Sequence, residues 1–272
     1  MAKTKRGFID TPHGQIHYRA GGDGPAVVVL HTTAFSSHAM LPLIEALIDR
    51  GLRGIGIDTM GLGDSDRPPK PYTSHHEYAQ SVVWLIHGLG YQRVHLFGLL
   101  ASAQIAMTTA ADFPEAVETL ILQEPFNWGT PTGRVVYENL HGYFPRDREG
   151  RYLLVLWHRV HGEDLREREA RFRELLTVND DLGAEVHGKM GWEGAPAWSI
   201  ARTNIWRVTP RIQAPTLVTY LPDSPLQSAY DQFLATLPRG QGLLNAPSAM
   251  REPAKFAEVM VDFIQSVSSL RA

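Results

Sequence analysis

Arg93-Val94-His95-Leu96-Phe97-Gly98-Leu99-Leu100-Ala101-Ser102-Ala103-Gln104-Ile105-Ala106-Met107 is the stretch whose reading decides the fold. Its first part holds an apolar run of strand length, Val94, Leu96 and Phe97, and its second part, continuing to Ala111, is rich in small residues and reads as a helix. Between them the chain must turn sharply. Gly98 and Ser102 stand two positions either side of Leu100, a spacing that lets a strand and a helix approach closely around a strained corner.

The flanking chain extends the pattern. Ala26 to Leu30 is a continuous apolar run, as expected for a parallel strand covered on both faces. Leu41 to Ile48 has helical spacing, Arg53 to Asp58 reads as the next strand, and Tyr78, Val82, Leu85, Ile86 and Leu89 share a helix face. Val117 to Gln123 is a further buried strand. The alternation of strand and helix predicts a mostly parallel sheet with helices on both faces. Ahead of it, Phe8 to Arg19, with the turn Pro12-His13-Gly14, reads as an antiparallel edge hairpin. From Phe126 to about Ile212 the alternation stops and helical segments dominate. That interval holds Trp128, Trp157, Trp192, Trp198 and Trp206, five of the six tryptophans. The alternation resumes with Ala214 to Tyr220, a helix near Tyr230 to Leu237, a short strand near Gly242 to Leu244 and a last helix from Pro253 to Val267.

These features resemble the α/β-hydrolase family. The elbow at Leu100, the loop Met60-Gly61-Leu62-Gly63-Asp64-Ser65-Asp66-Arg67-Pro68 after Asp58, and the helical interval all match in kind. The resemblance implies an α/β fold with a mostly parallel central sheet flanked by helices and an inserted helical cap. Residues 1–125 and 213–272 would form the core and residues 126–212 the cap. The glycine loop has neither full GxGxxG spacing nor a phosphate-binding lysine, and is structural in the family.

The resemblance also locates what is missing. The family's nucleophile falls on Leu100, whose side chain has no lone pair to attack with and no proton to give. A register centred on Ser102 would put Leu100 and Gln104 where small residues are needed, so Ser102 is expected to pack the helix start. The family histidine falls on Ala246, within about one residue, and no histidine follows His187 anywhere in the chain. Asp223 stands in the acid region, either as that carboxylate or as a surface turn residue. The oxyanion loop reads His31-Thr32-Thr33-Ala34, where the backbone N–H groups of Thr33 and Ala101 could still serve.

Glu124, directly after a central strand, is a candidate acid or base, or else a carboxylate capping a helix or paired with arginine. His31, also at a strand end, either contacts a ligand or supports its loop. Leu99, Leu100, Ala101, Thr32, Thr33, Trp128, Trp157, Asp223 and Ala246 are the expected binding residues, around an apolar pocket suited to a hydrophobic or aromatic small molecule. His158 and His161 are cap residues that could point inward. The charged run Glu163 to Glu174, with Glu167 and Arg171 four apart, reads as a solvated helix face.

Composition bounds the rest. The chain has 272 residues, a formal net charge of −3 and no cysteine. Interspersed charges give no reason to expect nucleic acid or an anionic membrane as partner. Disulfides, thiolate catalysis and cysteine-bound metals are excluded. No metal site or organic cofactor is expected, no stretch has signal-peptide or membrane-spanning character, and a cytoplasmic protein, open to homodimerisation, is the expectation. Two functions fit. One is a non-hydrolytic tailoring enzyme that positions its substrate for cyclisation, carbon–carbon bond formation, elimination or isomerisation. The other is a silent ligand-binding protein. A third, an atypical hydrolase using cap residues, stands behind them.

Overall fold

The computed structural model describes residues 3–32, 35–70, 72–131, 147–160, 164–178 and 199–269. An eight-stranded sheet runs through them in the order β1-β2-β4-β3-β5-β6-β7-β8. Its strands are β1 (Lys5–Thr11), β2 (Gly14–Gly21), β3 (Ala26–Leu30), β4 (Arg53–Ile57), β5 (Val94–Leu99), β6 (Val117–Gln123), β7 (Thr216–Thr219) and β8 (Gly240–Leu243). β1 and β2 pair antiparallel and join the sheet through an antiparallel β2–β4 contact. All other neighbours are parallel. The edge hairpin is as expected. The short last strand begins two residues earlier than its apolar content suggested, because Gly240 and Gln241 pair with Thr216 and Leu217 on an exposed edge.

Strand β3 shows why the apolar run was continuous. All five of its residues are buried. Val28 and Leu30 face one core with Leu96, Leu120 and Ile86, while Val27 and Val29 face another with Phe97, Ile121 and Phe256. Successive side chains point to opposite sheet faces, so a strand covered on both must be apolar throughout. The first core is closed by α2 (His75–Gly88) and α3 (Ala101–Asp112), the second by α1 (Leu41–Asp49) and the last helix, α7 (Pro253–Ser269). The start of α2 is held by a capping box in which Ser74 and Glu77 each accept from the other's backbone N–H.

In the interval 126–212 the described residues contain α4 (Arg151–Arg159), α5 (Leu165–Val178) and two short 3-10 turns. Trp192, Trp198, His161, Thr33 and Ala34 lie outside the described residues. Helix α6 (Tyr230–Thr236) covers the sheet near β7 and β8. No described helix is long and apolar enough to cross a membrane.

Candidate functional site

The elbow is built as its spacing requires. A β-carbon on Gly98 would lie 2.8 Å from Ala103 Cα and Ala106 Cβ, so only glycine lets β5 approach α3 this closely. Leu100 sits at φ 53° and ψ −117°. That backbone region costs a branched residue about 1–3 kcal/mol and persists only where the surroundings impose it. Here the imposition is visible: Leu100 N–H donates to Gln123 O at 2.9 Å, tying the elbow to β6. Ser102 is 1% exposed, accepts from Leu99 N–H at 3.0 Å and packs the start of α3, as expected.

Among the described residues, the non-glycine positions with positive φ are Leu100, Glu124, Asp223 and Asn245. Each follows one of the strands β5 to β8. Strain is therefore concentrated at the carboxyl ends of these strands, where ligands bind in open α/β sheets.

A cavity of about 620 Å³ opens there. Its floor includes Leu99, Leu100, Gln123 and Glu124, and its walls include Phe35, His38, Leu221 and Met250. Glu167, Ala170 and Arg171 of α5 close one side, and Arg251 stands on another. Glu167 and Arg171 pair at 2.5 Å, as their spacing implies. Their helix face is nonetheless a wall of the cavity, which corrects the simple solvated reading.

Of the expected site residues, Leu99, Leu100 and Glu124 line this cavity. Glu124 is 5% exposed. One of its carboxylate oxygens accepts from Leu221 N–H at 2.6 Å, and the other accepts from the Ser224 hydroxyl. The carboxylate thus holds the loop after β7 against the end of β6, and burial beside it pushes the Tyr220 hydroxyl well above the usual tyrosine range.

His31 does not line the cavity. It is 1% exposed, its Nδ1–H donates to Thr32 O at 2.8 Å, and its Nε2 accepts from Thr59 N–H at 3.0 Å. Both ring nitrogens are committed to backbone, so the histidine braces two loops and has none left for a ligand. Burial holds it below the usual imidazole range, against the opposing pull of Asp58 and the Thr32 bond.

The remaining expectations are corrected by placement. Thr32 is buried as His31's acceptor. Ala101 and Trp128 pack with Ile200 and Ala201. Trp157 meets Phe172 edge-on at 5.3 Å and lies under Arg168. Asp223 is an exposed turn residue. Ala246 is 1% exposed, with its N–H donating to Tyr220 O at 2.9 Å. The described tryptophans are half-buried and none lines this cavity, whose aromatic lining comes from Phe35 and His38.

Gln123 and His38 are among the lining residues that escaped the sequence reading. Gln123 donates to Pro247 O at 2.9 Å and accepts from Ala249 N–H at 2.8 Å, bracing the loop where the family histidine would stand. His38 follows β3 on a turn capped by Ser36, whose hydroxyl accepts from His38 N–H at 3.2 Å. Burial and the nearby Arg19 hold its imidazole below the usual range, with Asp58 opposing. The signal available for His38 was only a histidine shortly after a central strand.

Behind His38 lies a polar knot. Asp58 accepts from Ser37 N–H at 2.6 Å, from Asp64 N–H at 2.8 Å and from His17 Nδ1 at 2.9 Å. Burial raises its pKa, but these bonds and the neighbouring His31 outweigh it and hold the carboxyl well below its usual value. A β-carbon on Gly63 would sit 2.3 Å from an Asp58 oxygen, so the glycine loop is structural, as expected.

A family model described as alpha/beta hydrolase fold matches residues 25–156. Epoxide hydrolase 2 of Siraitia grosvenorii is 32% identical over 123 residues, covering 44% of this chain and 39% of the relative. A haloalkane dehalogenase of Mycobacterium marinum is 28% identical over 145 residues, covering 50% of this chain and 48% of the relative. The alignments thus span less than half the length of these curated relatives. A thermophilic esterase from Thermogutta terrifontis superposes with a TM-score of 0.72 at 20% identity, covering 97% of this chain and 99% of the esterase, a likeness of fold alone.

Proposed function

Because this chain belongs to the α/β-hydrolase fold superfamily, we propose that it is an atypical hydrolase acting on a small amphipathic molecule without forming a covalent bond to the elbow. One observation carries the reading. The strained elbow geometry is kept at φ 53° while its side chain is leucine and the base position is a buried alanine. Retaining a costly backbone conformation without its nucleophile points to a pocket that still positions a substrate.

In this reading residues 126–212 form the cap, supported by the contribution of α5 to the cavity wall. The substrate's apolar part lies over Leu99, Leu100 and Met250. His38, a neutral base near pH 7, takes a proton from water as the water attacks the substrate's electrophilic carbon; the bond from that carbon to the leaving oxygen or halide breaks with its electron pair, an oxygen then taking a proton from solvent and a halide departing as the anion. Glu124 orients a donor group of the substrate from the floor. His31 and Gln123 position the loops. Hydrolysis is preferred over the tailoring chemistry read from sequence because the curated relatives named above are an epoxide hydrolase and a haloalkane dehalogenase.

The second reading is non-hydrolytic conversion of a hydrophobic substrate. It is favoured by the apolar floor at Leu99 and Leu100 and by the prior commitment of both Glu124 oxygens to Leu221 and Ser224. Turnover in ¹⁸O-water separates the two: hydrolysis puts one labelled oxygen into the product, and non-hydrolytic conversion puts none. A screen of epoxides, haloalkanes and esters that finds tight binding with no conversion of any would instead leave a binding protein.

Two substitutions sharpen the test. Glu124→Gln is expected to weaken substrate binding, raising KM about tenfold or more, because an orienting acceptor is lost; an unchanged KM would retire Glu124 from the site. Leu100→Ser is expected to give no appreciable p-nitrophenyl ester turnover, since the C-terminal loop has no histidine to activate the hydroxyl. Robust turnover, abolished by a further His38→Gln change, would show that His38 reaches the elbow.

A further inference from the structure

Apart from the cavity lining, the knot around Asp58 contains one side chain with unspent binding capacity. His17 is 1% exposed, and its Nε2 is buried with no hydrogen-bond partner. Its other nitrogen lies 2.9 Å from Asp58 Oδ2. An ionised carboxylate only accepts, so Nδ1 carries a proton, and a ring with that one proton has its lone pair on Nε2. That lone pair faces Asp64, with Nε2 3.9 Å from Oδ2. The gap is too long for a hydrogen bond.

We infer that His17 Nε2 and the Asp64 carboxylate form a site for a divalent cation of the zinc or cobalt kind, with Asp58 fixing the imidazole from behind. Metal–nitrogen and metal–oxygen bonds of about 2.0–2.2 Å bridge such a gap after a small inward swing of one ligand. Asp64 is able to swing, its side chain being 55% exposed, while its backbone N–H stays anchored on Asp58. A carboxylate holding the far nitrogen of a ligating histidine is the usual supporting arrangement of metal-bound imidazole. Water completes the coordination through a small cavity of about 210 Å³ that reaches Asp58, Gly63 and Asp64. The ligand atoms of His17, Asp58 and Asp64 all lie within 4.8 Å of one another.

The competing charges are Arg6, 4.0 Å from the same Asp64 oxygen, and Arg173, which lines the small cavity. An ion here would cross-link β2 to the glycine loop, beside the turn that carries His38. The sequence reading expected no metal; His17 and Asp64 are far apart in the chain and form no ligand motif.

The experiment is titration of the metal-stripped full chain with Co²⁺ and, separately, Zn²⁺. It reads the visible d–d absorption of cobalt and the thermal midpoint with either ion. The site gives a saturating cobalt band and a midpoint rise of at least about 3 °C at saturating metal. Asp64→Ala abolishes both, and Arg6→Ala tightens binding at least about twofold by removing a charge near the ion. His17→Asn also abolishes both where it folds. The exposed Asp64 variant decides the matter alone: no band, or a band and shift equal in Asp64→Ala, overturns the site.

Discussion

Asp58→Ala is expected to lower stability by about 3–5 kcal/mol, the range found when one partner of a buried ion pair or its network is removed. The carboxylate side chain is 2% exposed and accepts from Ser37 N–H, Asp64 N–H and His17. Alanine would leave these donors buried without acceptors and remove the carboxylate link between the glycine loop and His17 of β2. Asp58→Asn keeps one carbonyl oxygen and should lose less. Urea denaturation at neutral pH measures both, and a loss under about 1 kcal/mol for alanine would mean that the loop is held by other contacts. The same loss should reach the cavity, since Asp58 fixes the turn that presents His38.

His75→Leu is expected to flatten the acid side of the stability profile. His75 is 2% exposed, neither ring nitrogen has a hydrogen-bond partner, and burial lowers its pKa from 6.5 to about 3. Below pH 6.5 the unfolded chain takes up a proton that the folded chain refuses until about pH 3. Stability therefore falls with decreasing pH across that window, by about 1.4 kcal/mol per unit. Leucine of similar size removes this loss, so the variant should gain about 2 kcal/mol on wild type between pH 6.5 and pH 5. Carboxylates titrating at lower pH are common to both proteins and cancel in the difference. Parallel stability curves would show that His75 is protonated in the folded state.

The elbow was legible because it rests on local constraints. Gly98 is needed where strand meets helix, and the apolar runs of β3, β5 and β6 are of strand length. The lack of any histidine after His187 was equally legible, since the absence of a residue type from a whole region does not depend on alignment. Trp157 and Trp128 were expected in the binding site and stand outside the cavity lining for one reason. Position in a cap or after a strand says which end of the sheet a residue occupies, but not which way its side chain turns. For His31 the sequence left ligand contact and loop support both open, because the partners that decide it, Thr32 O and Thr59 N–H, come from two different loops; the structure shows the loop support.

What the amino-acid order determined alone is the layered sheet, the strained corner at Leu100 and the lack of any histidine after His187, because periodicity, small-residue spacing and residue type act over a few positions. The tertiary structure decided the chemistry that remains. Only packing brings His38, Gln123, Glu124 and Arg171 around one cavity and leaves His17 Nε2 facing Asp64. Those meetings depend on how distant loops are held by hydrogen bonds, and nothing in the local pattern of the chain encodes them.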